Sequence, residues 1–100
     1  MTTTFEKIFK IVGTIPKGKV MTYGQVAKLA EISNPQVVGY AMNANKRLHQ
    51  IPCHRVVGKT GALTGYAMGG IEVKRKLLQS EGVEFLDDRT INLSVSLYQP

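Results

Sequence analysis

A chain of 100 residues, of which 43% are hydrophobic and 20% are charged, has the composition of one small globular domain. This length excludes an enzyme that combines a nucleotide-binding domain with a separate substrate domain. The formal net charge of +6 is unevenly divided, because residues 1–80 carry +9 and residues 81–100 carry −3. A basic body of this kind attracts polyanions, nucleic acid first and an anionic membrane surface second, although positive charge also serves solubility alone.

The single cysteine of the sequence, Cys53, indicates a reducing compartment, because it cannot form an intramolecular disulfide. No apolar run reaches the ~18 residues of a membrane span, and the amino terminus lacks the pattern of a signal or transit peptide. We therefore expect an intracellular protein, in a bacterial or archaeal cytoplasm or in a nucleus, that is not bound to a membrane and whose mature form is the whole chain.

Three short helices are predicted in the first half of the chain. Apolar residues recur at helical spacing over about residues 4–12. Thr22 stands three residues before Gln25, which predicts a capping box at the start of a helix over about 23–31. A proline at the first helical position predicts a third helix over about 35–44.

The third predicted helix has two distinct faces. Its buried stripe is expected to comprise Val37, Val38, Ala41 and Met42. Its other face is small, polar and uncharged, and comprises Gln36, Gly39, Tyr40 and Asn43. A helix that enters a DNA groove needs such a face, because bulky or acidic side chains would hold its backbone away from the bases or repel phosphates. The second and third helices therefore predict a helix-turn-helix unit.

The second half of the chain contains one further clear helical pattern. Residues 45–70 favour a small hairpin or extended loops, with a turn at 58–61. A helix over about 71–81 is predicted to end at Gly82. The positions expected to be buried on it are Val73, Leu77 and Leu78, and the basic residues between them are Lys74, Arg75 and Lys76. Alternating apolar residues over 91–97 predict a terminal strand or an extended tail.

Cys53, His54 and Arg55 indicate a nucleophilic thiol, because an imidazole and a nearby cation favour the reactive thiolate form of a cysteine. Neighbouring side chains of an extended segment point to opposite sides, so His54 reaches the thiol only if the backbone bends after Pro52, or through a water. A lone cysteine is also common as a small buried hydrophobe. A metal site fits poorly, since His49 would complete only three ligands, and so small a chain offers no evident cleft for a cysteine protease.

The motif Ile51-Pro-Cys-His-Arg-Val56 resembles the carboxy-terminal domain of O6-alkylguanine-DNA alkyltransferases, also called methylated-DNA-protein-cysteine methyltransferases. The resemblance covers about residues 5–83. Downstream it continues through Gly61, Ala62, Gly65, Tyr66, Gly69, Gly70, Lys74, Leu77, Leu78, Glu81 and Gly82. Upstream it includes Gly18, Val20, Thr22, Tyr23, Gln25, Ala27, Val38, Gly39, Ala41, Met42 and Asn45. It implies a mainly α fold with a small β element, a winged-helix-like helix-turn-helix domain over residues 1–83, followed by an acidic tail or extra strand over 84–100.

The resemblance also implies a role for each residue around the thiol. Cys53 would attack the alkyl carbon on O6 of guanine and keep the alkyl group as a thioether, so that each molecule reacts once. His54 would take the thiol proton through a water, and Glu81 would hold and polarise His54. Asn45 would hydrogen-bond near the thiol and connect the recognition helix to the active-site loop. No cofactor and no metal are implied.

The expected partner is double-stranded DNA containing alkylated guanine, bound by a monomer through the minor groove, with the target nucleotide rotated out of the stack. Tyr23 would press on the flanking phosphate and the target base, whereas Gly39 and Ala41 would let the helix approach the groove. The residues expected to contact DNA are Thr22, Tyr23, Gln36, Gly39, Tyr40, Ala41, Asn43 and Arg55. The residues expected around the substrate pocket are Val56, Tyr66, Ala67 and Met68.

The sequence departs from the family pattern in three ways. Gln36 stands where the family has an arginine that fills the gap left by the rotated base, and an amide lacks that charge and stacking plane. The pocket loop over 65–70 is one residue longer than usual, which is expected either to alter the size of substrate accepted or to leave Met68 over the thiol. The amino-terminal domain of most family members is absent from this sequence.

Two other functions remain open at this point. The first is an alkyltransferase-like sensor, which binds O6-alkylguanine in DNA without reacting and recruits other repair proteins. Such sensors replace the acceptor cysteine and keep the arginine, so both Cys53 and Gln36 favour the enzyme. The second is a helix-turn-helix transcription factor, which would need a dimerisation or effector element within the 18 residues after Gly82.

Overall fold

The computed structural model describes residues 3–45, 51–64 and 70–100, and within these ranges the chain forms five α-helices and four short strands. In chain order the elements are α1 (Thr4–Val12), β1 (Met21–Thr22), α2 (Tyr23–Leu29), α3 (Gln36–Asn43), a 3₁₀ turn (Cys53–Arg55), β2 (Val56–Val57), α4 (Gly70–Ser80), β3 (Phe85–Asp87), β4 (Thr90–Ile91) and α5 (Leu93–Ser96). The predicted mainly α fold with a small β element is confirmed.

The second and third helices form the predicted helix-turn-helix, in which α2 packs against both α1 and α3. The predicted capping box is present, because the Thr22 hydroxyl accepts the Gln25 N–H at 3.1 Å and Gln25 Oε1 accepts the Thr22 N–H at 2.9 Å. The Asn34 side chain accepts the N–H of Gln36 at 3.0 Å, which satisfies the first donor of α3. Local capping therefore determines where both helices begin.

The short strand before the 58–61 turn does not belong to a local hairpin, so that part of the prediction is wrong. β2 instead pairs in parallel with β1, with Met21 opposite Val56 and Thr22 opposite Val57. Both valines are fully buried. A parallel pair of buried strands needs a long connection, and here α2, α3 and the 3₁₀ turn lie within it. The predicted turn itself is confirmed, since the N–H of Gly61, at φ +89°, bonds to the Gly58 carbonyl at 2.9 Å.

The core has two clusters that meet at the β1–β2 pair. The larger lies under the first three helices and comprises Ile8, Val12, Ile15, Met21, Val26, Ala27, Ala30, Val38, Ala41, Met42, Ile51, Cys53 and Val56. The smaller lies under α4 and the last strands and comprises Val20, Val57, Leu63, Leu78, Val83 and Ile91. Because adjacent strand residues point to opposite sides, Val56 and Val57 belong to different clusters and connect them.

The prediction for the buried face of α4 is confirmed at Leu78, whereas Leu77 is half-buried and Val73 is exposed. Val73 is 37% exposed, whereas Lys74 is 1% exposed and lies inside the protein with Leu78. The spacing of Lys74 and Leu78 is one helical turn, so the buried stripe passes through the lysine rather than through Val73. The predicted end of the helix is confirmed, because Gly82 has φ +85° and the N–H of Val83 bonds to the Leu78 carbonyl at 3.1 Å.

The carboxy-terminal segment is not the single strand or extended tail expected from its alternating pattern. β3 and β4 form an antiparallel pair, and α5 follows with Asn92 as its cap. The segment packs on the rest of the chain, because Val20 bonds through its N–H to Ser96 at 2.9 Å and through its carbonyl to Tyr98 at 2.7 Å. None of the helices in the described ranges has the length and apolarity needed to cross a membrane.

Candidate active site and nucleic-acid interface

Cys53 lies on a bent backbone, which is one of the two ways in which His54 was expected to reach the thiol. Cys53 opens the 3₁₀ turn directly after Pro52, and the N–H of Arg55 bonds to the Pro52 carbonyl at 2.9 Å. The Cys53 residue is 5% exposed and packs in the larger core cluster. The turn runs straight into β2, so the buried parallel pair holds the thiol in place.

A carboxylate from the end of α4 joins the two residues after the cysteine. His54 Nε2 lies 3.0 Å from Glu81 Oε1, and both side chains are 11% exposed. The Arg55 guanidinium donates to both oxygens of the same carboxylate, at 3.0 Å from Nε and 2.6 Å from Nη2. Its Nη1 donates to the Ile15 carbonyl at 2.8 Å. Glu81 is thus held on two sides by charge-assisted hydrogen bonds.

This arrangement determines the protonation of the pair. Burial lowers the pKa of His54, and the bond to Glu81 offsets this only in part, so the imidazole is neutral at neutral pH. Burial raises the pKa of Glu81, but the hydrogen bonds from Arg55 and His54 outweigh it and hold the pKa below its ordinary value. An ionised carboxylate only accepts hydrogen bonds, so His54 donates its Nε2–H to Glu81 and Nδ1 is the unprotonated, basic nitrogen.

Asn45 connects the helix-turn-helix to the active-site turn, as the resemblance implied. The residue is 8% exposed and lies two positions beyond the end of α3. Its side-chain Nδ2 donates to the Ile51 carbonyl at 3.0 Å, two residues before the cysteine. This bond ties the end of α3 to the segment that leads into the turn carrying Cys53.

Sequence reasoning assigned no role to Lys74, which the structure places in the site. The Lys74 ammonium donates to Thr64 Oγ1 at 3.1 Å and lies 5.9 Å from the centre of the Tyr23 ring. The phenol of Tyr23 lies 2.6 Å from the same Thr64 oxygen. Burial lowers the pKa of Lys74 to about 8, although the charge of Cys53 partly offsets this fall. A lysine at a core position of an amphipathic helix was the signal that could have found it.

One face of α3 borders an open groove of about 480 Å³. Its lining residues are Tyr23, Pro35, Gln36, Gly39, Tyr40 and Asn43, which include every member of the small polar face predicted for this helix. Tyr40 is 61% exposed, and a Cβ added at Gly39 would meet nothing within 4 Å. The groove face is therefore open to a large partner.

Three residues expected at DNA are placed otherwise. Ala41 is fully buried in the larger core cluster, because its position on α3 faces α1 and α2 rather than the groove. The Arg55 guanidinium points inward, because it forms charge-assisted hydrogen bonds to both carboxylate oxygens of Glu81. The Thr22 hydroxyl caps α2 and remains half-buried.

The expected pocket residues are only partly described. Val56 is fully buried in β2, behind the site rather than at its surface. Tyr66, Ala67 and Met68 lie outside the described residues. Among residues 3–45, 51–64 and 70–100, no group of three histidine, cysteine or acidic side chains is arranged to hold a metal ion.

Comparison with known proteins identifies close relatives. The family model for the 6-O-methylguanine DNA methyltransferase DNA-binding domain matches residues 3–83. A methylated-DNA–protein-cysteine methyltransferase of Shigella flexneri is 44% identical over 82 residues, which cover 80% of this chain and 47% of that protein. The corresponding protein of Sulfurisphaera tokodaii is 47% identical over 78 residues, which cover 78% of this chain and 48% of that protein. The chain thus spans about half the length of the curated relatives it matches.

Solved structures agree with this relationship and divide into two kinds. Atl1 of S. pombe, in complex with damaged DNA containing O6-carboxymethylguanine, matches 97% of this chain and 95% of its own, with a TM-score of 0.85 and 28% identity. The O6-methylguanine methyltransferase of Mycobacterium tuberculosis matches 82% of this chain and 50% of its own, with a TM-score of 0.72 and 38% identity. The chain belongs to the 6-O-methylguanine DNA methyltransferase family.

Proposed function

We propose that this protein repairs O6-alkylguanine in double-stranded DNA by transferring the alkyl group to Cys53 in a single turnover. The observation that carries this proposal is the surroundings of the thiol. Cys53 lies on a rigid turn next to a neutral His54, which is bonded to an ionised Glu81, and near the buried ammonium of Lys74. A base together with a cation converts a thiol into a thiolate nucleophile.

The reaction balances within the protein and its substrate. The Cys53 sulfur forms a bond to the alkyl carbon while the bond from that carbon to O6 breaks, and the released electron pair stays on guanine. The thiol proton passes through a water to His54, and guanine takes up one proton as it leaves. Glu81 stabilises the imidazolium that forms in between. Because the thioether is stable, the protein is consumed.

DNA binding is assigned to the groove face of α3. The target atom is inaccessible inside a duplex, so the nucleotide must rotate out toward Cys53, past Tyr23 at the start of α2. Gly39 leaves room for the minor groove, where extrusion matters more than sequence readout, and Tyr40 and Asn43 are exposed on the same face. The net charge of +9 on residues 1–80 supplies the nonspecific attraction to phosphates.

Intact-protein mass spectrometry tests the transfer. The protein is mixed with a duplex containing one O6-methylguanine, and an unmodified duplex of the same sequence is the control. We expect a gain of one CH₂, located on Cys53 by peptide mapping, in proportion to the lesion and limited to one per chain. A Cys53→Ala variant should bind the lesion duplex and gain no mass. Lesion binding by the wild-type chain without any mass gain would refute the transfer reaction.

A second candidate function is lesion recognition without reaction. It is favoured by the match to S. pombe Atl1, which extends over 97% of this chain and so includes the segment after residue 83. In this alternative Cys53 would be inert and bound O6-alkylguanine would recruit other repair proteins. The same mass measurement separates the two functions, because a sensor binds stoichiometrically but remains unmodified.

The remaining parts of the proposal concern organisation. We assign DNA binding and chemistry to residues 1–83, and to 84–100 a supporting role through the bonds around Val20. The protein is proposed to act as a monomer within a reducing compartment, the bacterial or archaeal cytoplasm or the nucleus. Sedimentation of the complex with a short lesion duplex would give one chain per duplex if this is correct.

A further inference from the structure

We propose that Thr64 is a positioning residue for the chemistry of Cys53, because its hydroxyl joins the Tyr23 phenol to the Lys74 ammonium of α4, the helix that packs against the 3₁₀ turn of Cys53. The inference rests on the proposed transfer function and adds to it a residue that does not touch the reacting atoms. Three separate parts of the chain meet at this hydroxyl. They are the first residue of α2, the segment after the 58–61 turn and the middle of α4.

The hydrogen-bond inventory of the cluster explains why a hydroxyl is needed. An ammonium group only donates, so Thr64 Oγ1 must accept from Lys74 Nζ over their 3.1 Å separation. One lone pair and one proton then remain on the Thr64 hydroxyl, and either can serve the Tyr23 phenol at 2.6 Å. A methyl group in the same place would satisfy neither partner.

Thr64 itself is firmly held. The N–H of Leu63, its chain neighbour, bonds to the Arg89 carbonyl at 2.8 Å, and Leu63 is packed in the smaller core cluster. Gly61, three residues earlier, bonds through its carbonyl to the N–H of Ile91 at 2.8 Å. The hydroxyl therefore has a fixed position, to which the longer and more adaptable lysine side chain is anchored.

The consequence for the thiol is electrostatic. Within the described ranges, the titratable groups that interact with the Lys74 charge are Cys53 and His54 from the 3₁₀ turn, and the ring of Tyr23 from α2 lies 5.9 Å from its ammonium. Burial has already lowered the pKa of Lys74 to about 8, so at neutral pH the ammonium persists by a narrow margin. The Thr64 oxygen, as a hydrogen-bond acceptor, stabilises the charged form of Lys74. At pH values well above the pKa of Lys74, each further unit by which that pKa falls decreases the protonated fraction about tenfold. Thr64 thus preserves the positive charge that favours the Cys53 thiolate.

The test compares Thr64→Val, which removes the hydroxyl at nearly constant shape, with Thr64→Ser, which keeps it. Thr4→Val, at an exposed position of α1, is the matched control for loss of a threonine hydroxyl. Without DNA, the rate of Cys53 modification by iodoacetamide is measured across pH, which reports one site because the sequence has one cysteine. We expect Thr64→Val to react about twofold more slowly at neutral pH, because a fall of one unit in the pKa of Lys74 decreases its protonated fraction at pH 7 by about that factor, and to shift the pH midpoint upward. Thr64→Ser and Thr4→Val should follow the wild-type profile.

With an O6-methylguanine duplex, the transfer rate constant at saturating DNA should fall by a similar factor in Thr64→Val. Saturating DNA is used so that any change in affinity through Tyr23, which lines the groove and is bonded to Thr64, does not enter this rate constant. A purely structural role would alter stability and leave the pH midpoint in place. Thr64→Ala is a second variant without the hydroxyl, in case Thr64→Val does not fold.

Two results would overturn the proposal. One is a wild-type pH profile in a folded variant that lacks the hydroxyl. The other is a Thr64→Ser profile that matches Thr64→Val, which would assign the effect to the lost methyl group. The profile with iodoacetamide does not require DNA, so it decides the role of Thr64 even if the wild-type chain transfers no methyl group from DNA.

Discussion

Replacing Lys74 with methionine should remove a specific pH dependence from the stability of the protein. The lysine is 1% exposed, and burial lowers its pKa from 10.5 to about 8. In the unfolded chain the same ammonium is hydrated and keeps the higher value. The unfolded state therefore binds this proton more tightly than the folded state, and the free energy of unfolding rises with pH between the two pKa values.

The size of the effect follows from the two pKa values. Below about pH 7 the lysine is protonated in both states, and its contribution to stability does not change with pH. Integrating the difference in proton binding up to about pH 9.5 gives a gain of about 2 kcal/mol in the free energy of unfolding from this one group. Lys74→Met keeps a long, flexible apolar side chain and has no proton to lose. It should lack this gain.

The assay is urea unfolding followed by circular dichroism at several pH values for both proteins. Groups that do not interact with Lys74 contribute equally in both chains, so the difference between the two curves reports the lysine together with its electrostatic interaction with Cys53. We expect the curves to converge by about 2 kcal/mol as pH rises, with the variant being the more stable protein at neutral pH. Parallel curves would show that the ammonium is hydrated, and the reasoning about its burial would be refuted.

Three further predictions concern other parts of the site. Glu81→Gln leaves Arg55 without its charged partner, so the free energy of unfolding measured in urea should fall by about 3 kcal/mol. The wild-type protein should lose stability at acid pH because the pKa of Glu81 is lowered in the folded state, and this loss should disappear in the variant. An unchanged dependence of stability on pH in the acid range would contradict this. Gly61→Ala should destabilise the protein by about 1–3 kcal/mol, because φ is +89° and the new Cβ would overlap a carbonyl oxygen of β4. Gly39→Ala has open space, so it should stabilise α3 by about 0.5–1 kcal/mol and weaken duplex binding measured by fluorescence anisotropy. Equal effects of the two substitutions on stability would be inconsistent with the fold. Gln36→Arg should tighten binding to a lesion duplex and make it more sensitive to salt, and unaltered affinity would show that this position does not face the DNA.

Local signals in the sequence were sufficient to predict α1 to α4 and to select Cys53 as the reactive residue. The capping box of Thr22 and Gln25 acts within a single helical turn, so it can be recognised without knowing what the helix packs against. The same is true of Gly82, whose positive φ ends α4. Cys53 could be selected because the residues on either side of it determine its backbone and charge.

Other predictions failed because they depended on partners far away in the chain. The valines of β2 pair with a strand 35 positions earlier, which no local turn signal records. The alternating pattern at the carboxy terminus is interrupted by a short helix, because Asn92 caps α5 and the segment must turn to pack against Val20. Arg55 was expected to contact DNA, but its guanidinium is bonded to a carboxylate 26 positions away.

By itself, the sequence determined the approximate boundaries of α1 to α4, the helix-turn-helix unit, the family and the identity of the thiol, since each of these is encoded by neighbouring residues or by a continuous motif. Only the tertiary structure decided that Lys74 is a buried cation rather than a surface charge, and that it meets Tyr23 at the Thr64 hydroxyl. The physical reason is that burial and pKa are set by side chains from elements that are distant in sequence, and these come together only when the chain folds.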